Sequence, residues 1–128
     1  MSVPRLKTHI RVSAHLARVR AGGAFAAIAR HGDDDAGAVA VKVYLGGRRA
    51  RLFVEARDID GVLGWRELFA GEDETGEDEM SEDARGAGDD AGHDEAKIDA
   101  YLEKEAAVDP DLWIIDIEDP KGRAFLDD

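Results

Sequence analysis

The sequence predicts an α/β fold of the α+β type, a single domain in which an antiparallel-rich sheet of about four to six short strands packs with two helices. Three observations predict it. Residues 6–21 and 95–107 repeat apolar positions at the helical period, several stretches of five to eight residues read as strands, and two of those flank a Gly-Gly dipeptide. A chain of 128 residues buries roughly two-thirds of its unfolded surface, which supports one modest core rather than two domains.

The first helix is expected over residues 6–21. Leu6, Ile10, Val12, Ala14, Leu16, Ala17, Val19 and Ala21 fill one wide arc, and Lys7, Arg11, His15 and Arg18 the other. Thr8 or a neighbour is expected to cap it, and Gly22-Gly23 to stop it. His9 falls in the apolar arc as a structural histidine, while His15 lies at the edge of the basic stripe. Six residues apart on different faces, the two do not form a helical metal pair.

Residues 25–30 read as a strand, followed by a loop through Asp33-Asp34-Asp35. Three aspartates invite a calcium reading, but the sixth and twelfth positions counted from Asp33 are Ala38 and Tyr44 rather than Gly and Glu, so a turn is expected. A hairpin follows over 39–54, with Gly46-Gly47 as a two-residue turn. That turn pairs Val43 with Ala50, Val41 with Leu52 and Val39 with Val54 on one face. Tyr44 with Arg49, Lys42 with Arg51 and Ala40 with Phe53 then share the other. Lys42, Tyr44, Arg49 and Arg51 thus form the candidate binding face, cationic and aromatic groups suited to a nucleotide or an acidic peptide. An ordinary solvated sheet face fits the same four residues.

Residues 65–69 read as a short strand or one helical turn, with Trp65 and Phe69 in the core. The second helix, 95–107, carries Ile98, Tyr101, Leu102 and Ala106 on one side, is capped by Asp94 and stops at Asp109-Pro110. Residues 112–118 are apolar on both faces, as in an interior strand. Asp119-Pro120-Lys121-Gly122 fits a type I turn, after which 123–126 are expected to return beside that strand.

The charge is segregated. The net charge is −12, from 29 acidic and 17 basic side chains. Residues 71–95 hold 12 of the acids and one base, Arg85, while residues 1–32 carry six bases and no acid. The segment repeats Gly-Glu-Asp-Glu and has little to bury, so a mobile acidic low-complexity insert is expected at about 71–95, with a weak helical turn near 80–85.

Motifs for chemistry are few. With no cysteine in the chain, disulfides, thiol nucleophiles, iron–sulfur clusters and thiolate zinc sites are excluded. Gly22-Gly23 and Gly46-Gly47 lack the spacing of a phosphate loop, and no nucleophile elbow occurs. No cofactor, metal ligand set or catalytic residue is assigned. Asp116, which interrupts an apolar strand, faces solvent or acts in a cleft as general acid or base with His9 or His31.

The combination of Arg5-Leu6-Lys7-Thr8-His9-Ile10 and Val12-Ser13-Ala14, Gly32-Asp33 with Asp35-Ala36-Gly37, Val41-Lys42-Val43, Asp109-Pro110-Asp111-Leu112-Trp113, Ile117-Glu118-Asp119, Gly122-Arg123 and Phe125-Leu126 resembles a family of short bacterial proteins, mostly alphaproteobacterial. That family is known as a domain of unknown function. The resemblance spans about residues 5–57 and 95–126 and implies a compact α/β domain of about 115 residues, with no activity or site to carry over. The acidic repeat departs from its pattern.

The sequence therefore points to a protein of unknown function, expected to be a small non-enzymatic cytoplasmic binding or adaptor protein with a protein partner. A small enzyme or ligand-binding domain using Asp116 with a histidine is the alternative, and a nucleic-acid binder through the basic hairpin face the third. No apolar run is long enough for a membrane span and no signal peptide is read at the start, so no membrane association is expected. The negative total disfavours nucleic acid.

Overall fold

The computed structural model describes residues 7–69 and 92–126. Among them the order is α1 (Thr8–Ala21), β1 (Phe25–Arg30), β2 (Val39–Gly46), β3 (Arg49–Arg57), β4 (Leu63–Leu68), β5 (His93–Asp94), α2 (Glu95–Val108) and β6 (Trp113–Glu118). The strands form one mixed sheet in the order β1-β6-β2-β3-β4, and β5 pairs with β3 beyond the end of β4. Only β2 and β6 run parallel; the other neighbours are antiparallel. This is an α+β domain, with one helix of the described residues on each face of the sheet.

Alternation along the central strands builds two cores. Val39, Val41, Val43, Phe53, Trp113, Ile115 and Ile117 face α1 and pack with Val12, Leu16 and Val19. Ala40, Ala50, Leu52 and Ile114 face the other way, against Ile98 and Leu102 of α2. As expected of an interior strand, β6 lies between β1 and β2 and is buried on both faces at its start. Asp94 caps α2, its carboxylate accepting from the Ala96 amide at 3.2 Å.

The hairpin is present, but its register is one residue away from the expected one. Gly47 and Arg48 form the turn, with φ of 63° and 65°, the positive pair that a type I′ turn demands. Gly46, at φ 101°, belongs to an irregularity after Tyr44, which leaves Leu45 outside the ladder. Lys42 consequently pairs with Leu52, Val41 with Phe53 and Val43 with Arg51. Because side chains alternate with period two, the slip sends Val41 and Leu52 to opposite faces.

Four further expectations are corrected. In α1 the buried positions are Thr8, Val12, His15, Leu16 and Val19, so His15 is the structural histidine and His9 is exposed. Ala14, Ala17 and Ala21 made the expected arc wide but carry too little surface to fix its direction, and they face out with Ile10. Thr8 does not cap the helix; its hydroxyl donates to the Gly37 carbonyl at 3.0 Å. Residues 123–126 form no strand: Ala124 is buried and its carbonyl accepts from His15 Nε2 at 2.8 Å. Of the expected acidic insert, residues 92–95 belong to the β5–α2 junction, whereas 71–91, with the expected turn near 80–85, lie outside the described residues.

Local chemistry explains two of the loops. Asp33 accepts from the Asp35 and Ala36 amides, which makes the triple aspartate a side-chain-closed turn. The same loop abuts the Asp111 carbonyl so tightly that Gly32 and Gly37 have no room for a side chain. Among the described residues no helix is long and apolar enough to cross a membrane.

Candidate binding surface

Among the described residues β1 is the end strand of the sheet, paired with β6 alone. One of its lateral edges therefore offers backbone N–H and C=O groups to a further strand. Its sequence, Phe-Ala-Ala-Ile-Ala-Arg, has no charge before Arg30, and that guanidinium is turned back to donate to the carbonyls of Pro110 and Leu112. Phe25 is 60% exposed and Ile28 42%. β4, at the opposite end, carries Arg66 and Glu67.

The α2-facing side of the sheet is covered unevenly. One row across the strands reads Ala27, Asp116, Lys42, Leu52, Leu68, and the next Phe25, Glu118, Tyr44, Ala50, His93. The apolar end of each row lies beneath α2. Lys42 marks the boundary: Nζ lies 2.7 Å from Glu95 and 2.7 Å from Asp99, one helical turn apart on α2, and the side chain is only 11% exposed. Burial alone lowers the Lys42 pKa, but the hydrogen bonds to Asp99 and Glu95 outweigh it and the net shift is upward.

Beyond Lys42 the surface is acidic. Asp116 is half-buried, and that desolvation holds its pKa above the usual carboxylate range. Lys42 acts against the rise, while Asp99, Glu95 and Glu118 add to it. Two carboxylates of α2 thus hold the Lys42 ammonium, and the two of β6, Asp116 and Glu118, lie beside Ala27 and Phe25 of the open edge.

The four residues of the expected binding face do not share a surface. Lys42 and Tyr44 face α2, whereas the register places Arg51 with Val43 and Phe53 on the α1 side. Arg51 is held by Glu67 through two hydrogen bonds of 2.9 and 2.8 Å, and it lies over the Phe53 ring. Arg49 donates to the Gly92 carbonyl, and the Tyr44 hydroxyl accepts from the Arg48 amide. Asp116 likewise has neither proposed histidine beside it. His31 stacks on Trp113 at 4.1 Å, on the other face of the sheet, and its Nε2 lies 2.8 Å from Asp34, whose carbonyl also contacts His9.

Sequence reasoning missed Phe25, Ile28 and the carboxylates Glu95, Asp99 and Glu118. A charge-free strand and an i,i+4 acidic pair were visible signals, but their meeting requires the non-sequential order β1-β6-β2. A separate cleft between α1 and β4, lined by Arg11, His15, Arg18 and Trp65 among others, has a volume of only about 10 Å³, space for about one water molecule rather than a small-molecule ligand. Arg11 is already paired with Glu55.

A family model described as "Protein of unknown function (DUF1491)" matches residues 6–90 and 84–127. A crystal structure of a DUF1491 family protein from Caulobacter crescentus is similar at 39% identity and TM-score 0.72, covering 95% of both chains. An NMR structure of a DUF1491 family protein from the same organism is similar at 38% identity and TM-score 0.71, covering 97% of this chain and 94% of that one. The solution structure of a protein from A. tumefaciens is similar at 32% identity and TM-score 0.60, covering 91% and 87%. No curated protein matches the sequence.

Proposed function

Since the chain belongs to the DUF1491 family, whose description assigns no function, we propose from its physical chemistry that it is a small non-enzymatic binding protein of the bacterial cytoplasm, holding a protein partner along β1. The observation that carries this reading is the open edge of β1, which no further strand of the described residues covers. Natural sheets protect their edges with charges, prolines or covering segments; here Arg30 is engaged with the Pro110 and Leu112 carbonyls, and Arg20 of α1 reaches β1 at one point, donating to the Ala26 carbonyl at 3.2 Å. Exposed Phe25 and Ile28 add apolar anchors on either side of that edge.

The test is purification of the tagged full chain from its native cells beside an Ile28→Lys variant, washed at low and high salt. A protein retained by the parent and lost by a variant of unchanged melting temperature supports the reading. Retention of the same protein by both forms contradicts it.

A second reading, a ligand-binding or enzymatic role for Asp116, is favoured by one observation, the raised pKa of a half-buried carboxylate. A melting shift with a metabolite, abolished in Asp116→Asn, would support it.

A further inference from the structure

The open edge and the acidic half-face adjoin, and we propose that the segment bound along β1 is cationic: an extended stretch that adds as a further strand, with Lys or Arg side chains facing the α2 side and apolar side chains facing the α1 side. This rests on the reading of β1 as a docking edge and specifies what docks there.

Geometry sets the alternation. On the α2 side, Phe25 lies beside Glu118 and Ala27 beside Asp116; on the α1 side, Ala26 lies beside Ile117 and Ile28 beside Ile115. A strand added to β1 continues both rows, because side chains on neighbouring strands stand in register on each face. Its α2-side residues would be two strand spacings, each about 4.8 Å, from Asp116 and Glu118. The methyl group of Ala27 leaves the space between low, so a long Lys or Arg stem reaches over it. Its charge then arrives at the carboxylates and its stem covers apolar surface. An Arg opposite Phe25 also gains the face of an exposed ring.

Charge selects the partner. Asp116 and Glu118 of β6 stand next to β1, and the nearby Lys42 ammonium is already held by Glu95 and Asp99, which leaves this half-face negative. An acidic segment would be repelled there, and so would a nucleic acid. The α1-side row, with Ile28 at its margin, asks for apolar residues at the alternate positions.

The probes are three end-blocked octapeptides that alternate valine with lysine, threonine or glutamate. They are titrated into the isotope-labelled full chain, with amide shifts and peptide anisotropy as readouts. The expected result is binding of the lysine peptide with shifts over Phe25–Arg30, weakened about tenfold by Glu118→Lys and by raising salt from about 0.02 to 0.3 M. Asp60→Lys, in the exposed loop before β4, is expected to leave it unchanged. Equal binding of the threonine and lysine peptides at β1, insensitive to Glu118→Lys, overturns the cationic inference and leaves the edge reading standing. No β1 shift with any of the three overturns both. Self-association of the free chain through β1 would make a second copy the occupant and overturn the inference as well.

Discussion

The two faces of this one sheet are finished differently. On the α1 side, Trp113, Ile115, Ile117, Val41 and Val43 form a row closed by Val12, Leu16, Val19 and Ala124. Its polar groups are used internally: Trp113 Nε1 donates to the Asp33 carbonyl at 2.7 Å, and His15 is tied to Ala124. A carbonyl oxygen only accepts, so His15 Nε2 carries the proton. On the α2 side, apolar packing covers β2, β3 and the start of β6 at Ile114, and past Lys42 the rest of the β1–β6 half presents Asp116, Glu118, Ala27 and Phe25 instead. The second helix is held by that part of the sheet. The remaining half-face is then available for recognition.

Substitutions that break this contrast differ in size. Trp113→Ala is expected to cost most, about 3–5 kcal/mol, because it empties the α1-side core at a residue 1% exposed. Leu52→Ala, under α2, is expected to cost about 2–5 kcal/mol. Both are measured by urea unfolding. The hairpin register adds a sharper form of the second experiment: Val41 and Leu52 face opposite ways, so a double-mutant cycle between them should give coupling within about 0.5 kcal/mol. A larger coupling would return the pair to one face.

Two aspartates, Asp116 within β6 and Asp119 at the start of the turn after it, respond to pH in opposite senses. Asp119 accepts hydrogen bonds from the Arg123 side chain and backbone, which lower its pKa. Its stabilising contribution is present above the unfolded carboxylate value and is lost as pH falls through the lower folded value. Asp116 has its pKa raised, first by burial. Between the unfolded value and that raised value the folded state binds more protons, so stability rises as pH falls through this window. Above the window the ionised group destabilises the fold. Asp119→Ala is therefore expected to lower stability at neutral pH, and Asp116→Asn to raise it modestly while removing that part of the pH dependence. Chemical denaturation from pH 4 to 8 checks both, and a destabilised Asp116→Asn would contradict the account.

Phe25→Ser is expected to change stability least, by under about 0.5 kcal/mol, since its side chain is mostly in solvent. Its effect should appear in partner binding instead, which separates the open half-face from the packed one.

Much of this arrangement was legible in the chain. The Trp-Ile-Ile run of β6 announced an interior strand, and Asp94 with Ile98 and Leu102 announced α2. What failed was the choice between equivalent local solutions. Gly46-Gly47-Arg48 offers two frames for a two-residue turn, and only tertiary packing selects the one with Arg48 at positive φ. The alanines of α1 do not distinguish an inward from an outward face, so His9 and His15 exchanged roles. The candidate surface was the least legible part. Phe25 and Glu118 are far apart in sequence, and the basic residues that seemed to share a hairpin face were divided by the one-residue slip.

Amide hydrogen exchange of the full chain, free and in complex with the protein it captures from its native cells, tests the central claim most directly. If β1 is the docking edge, the complex should slow exchange within Phe25–Arg30 and leave β4 unchanged. Protection confined to β4 or to the cleft between α1 and β4, with β1 exchanging as in the free chain, would contradict it.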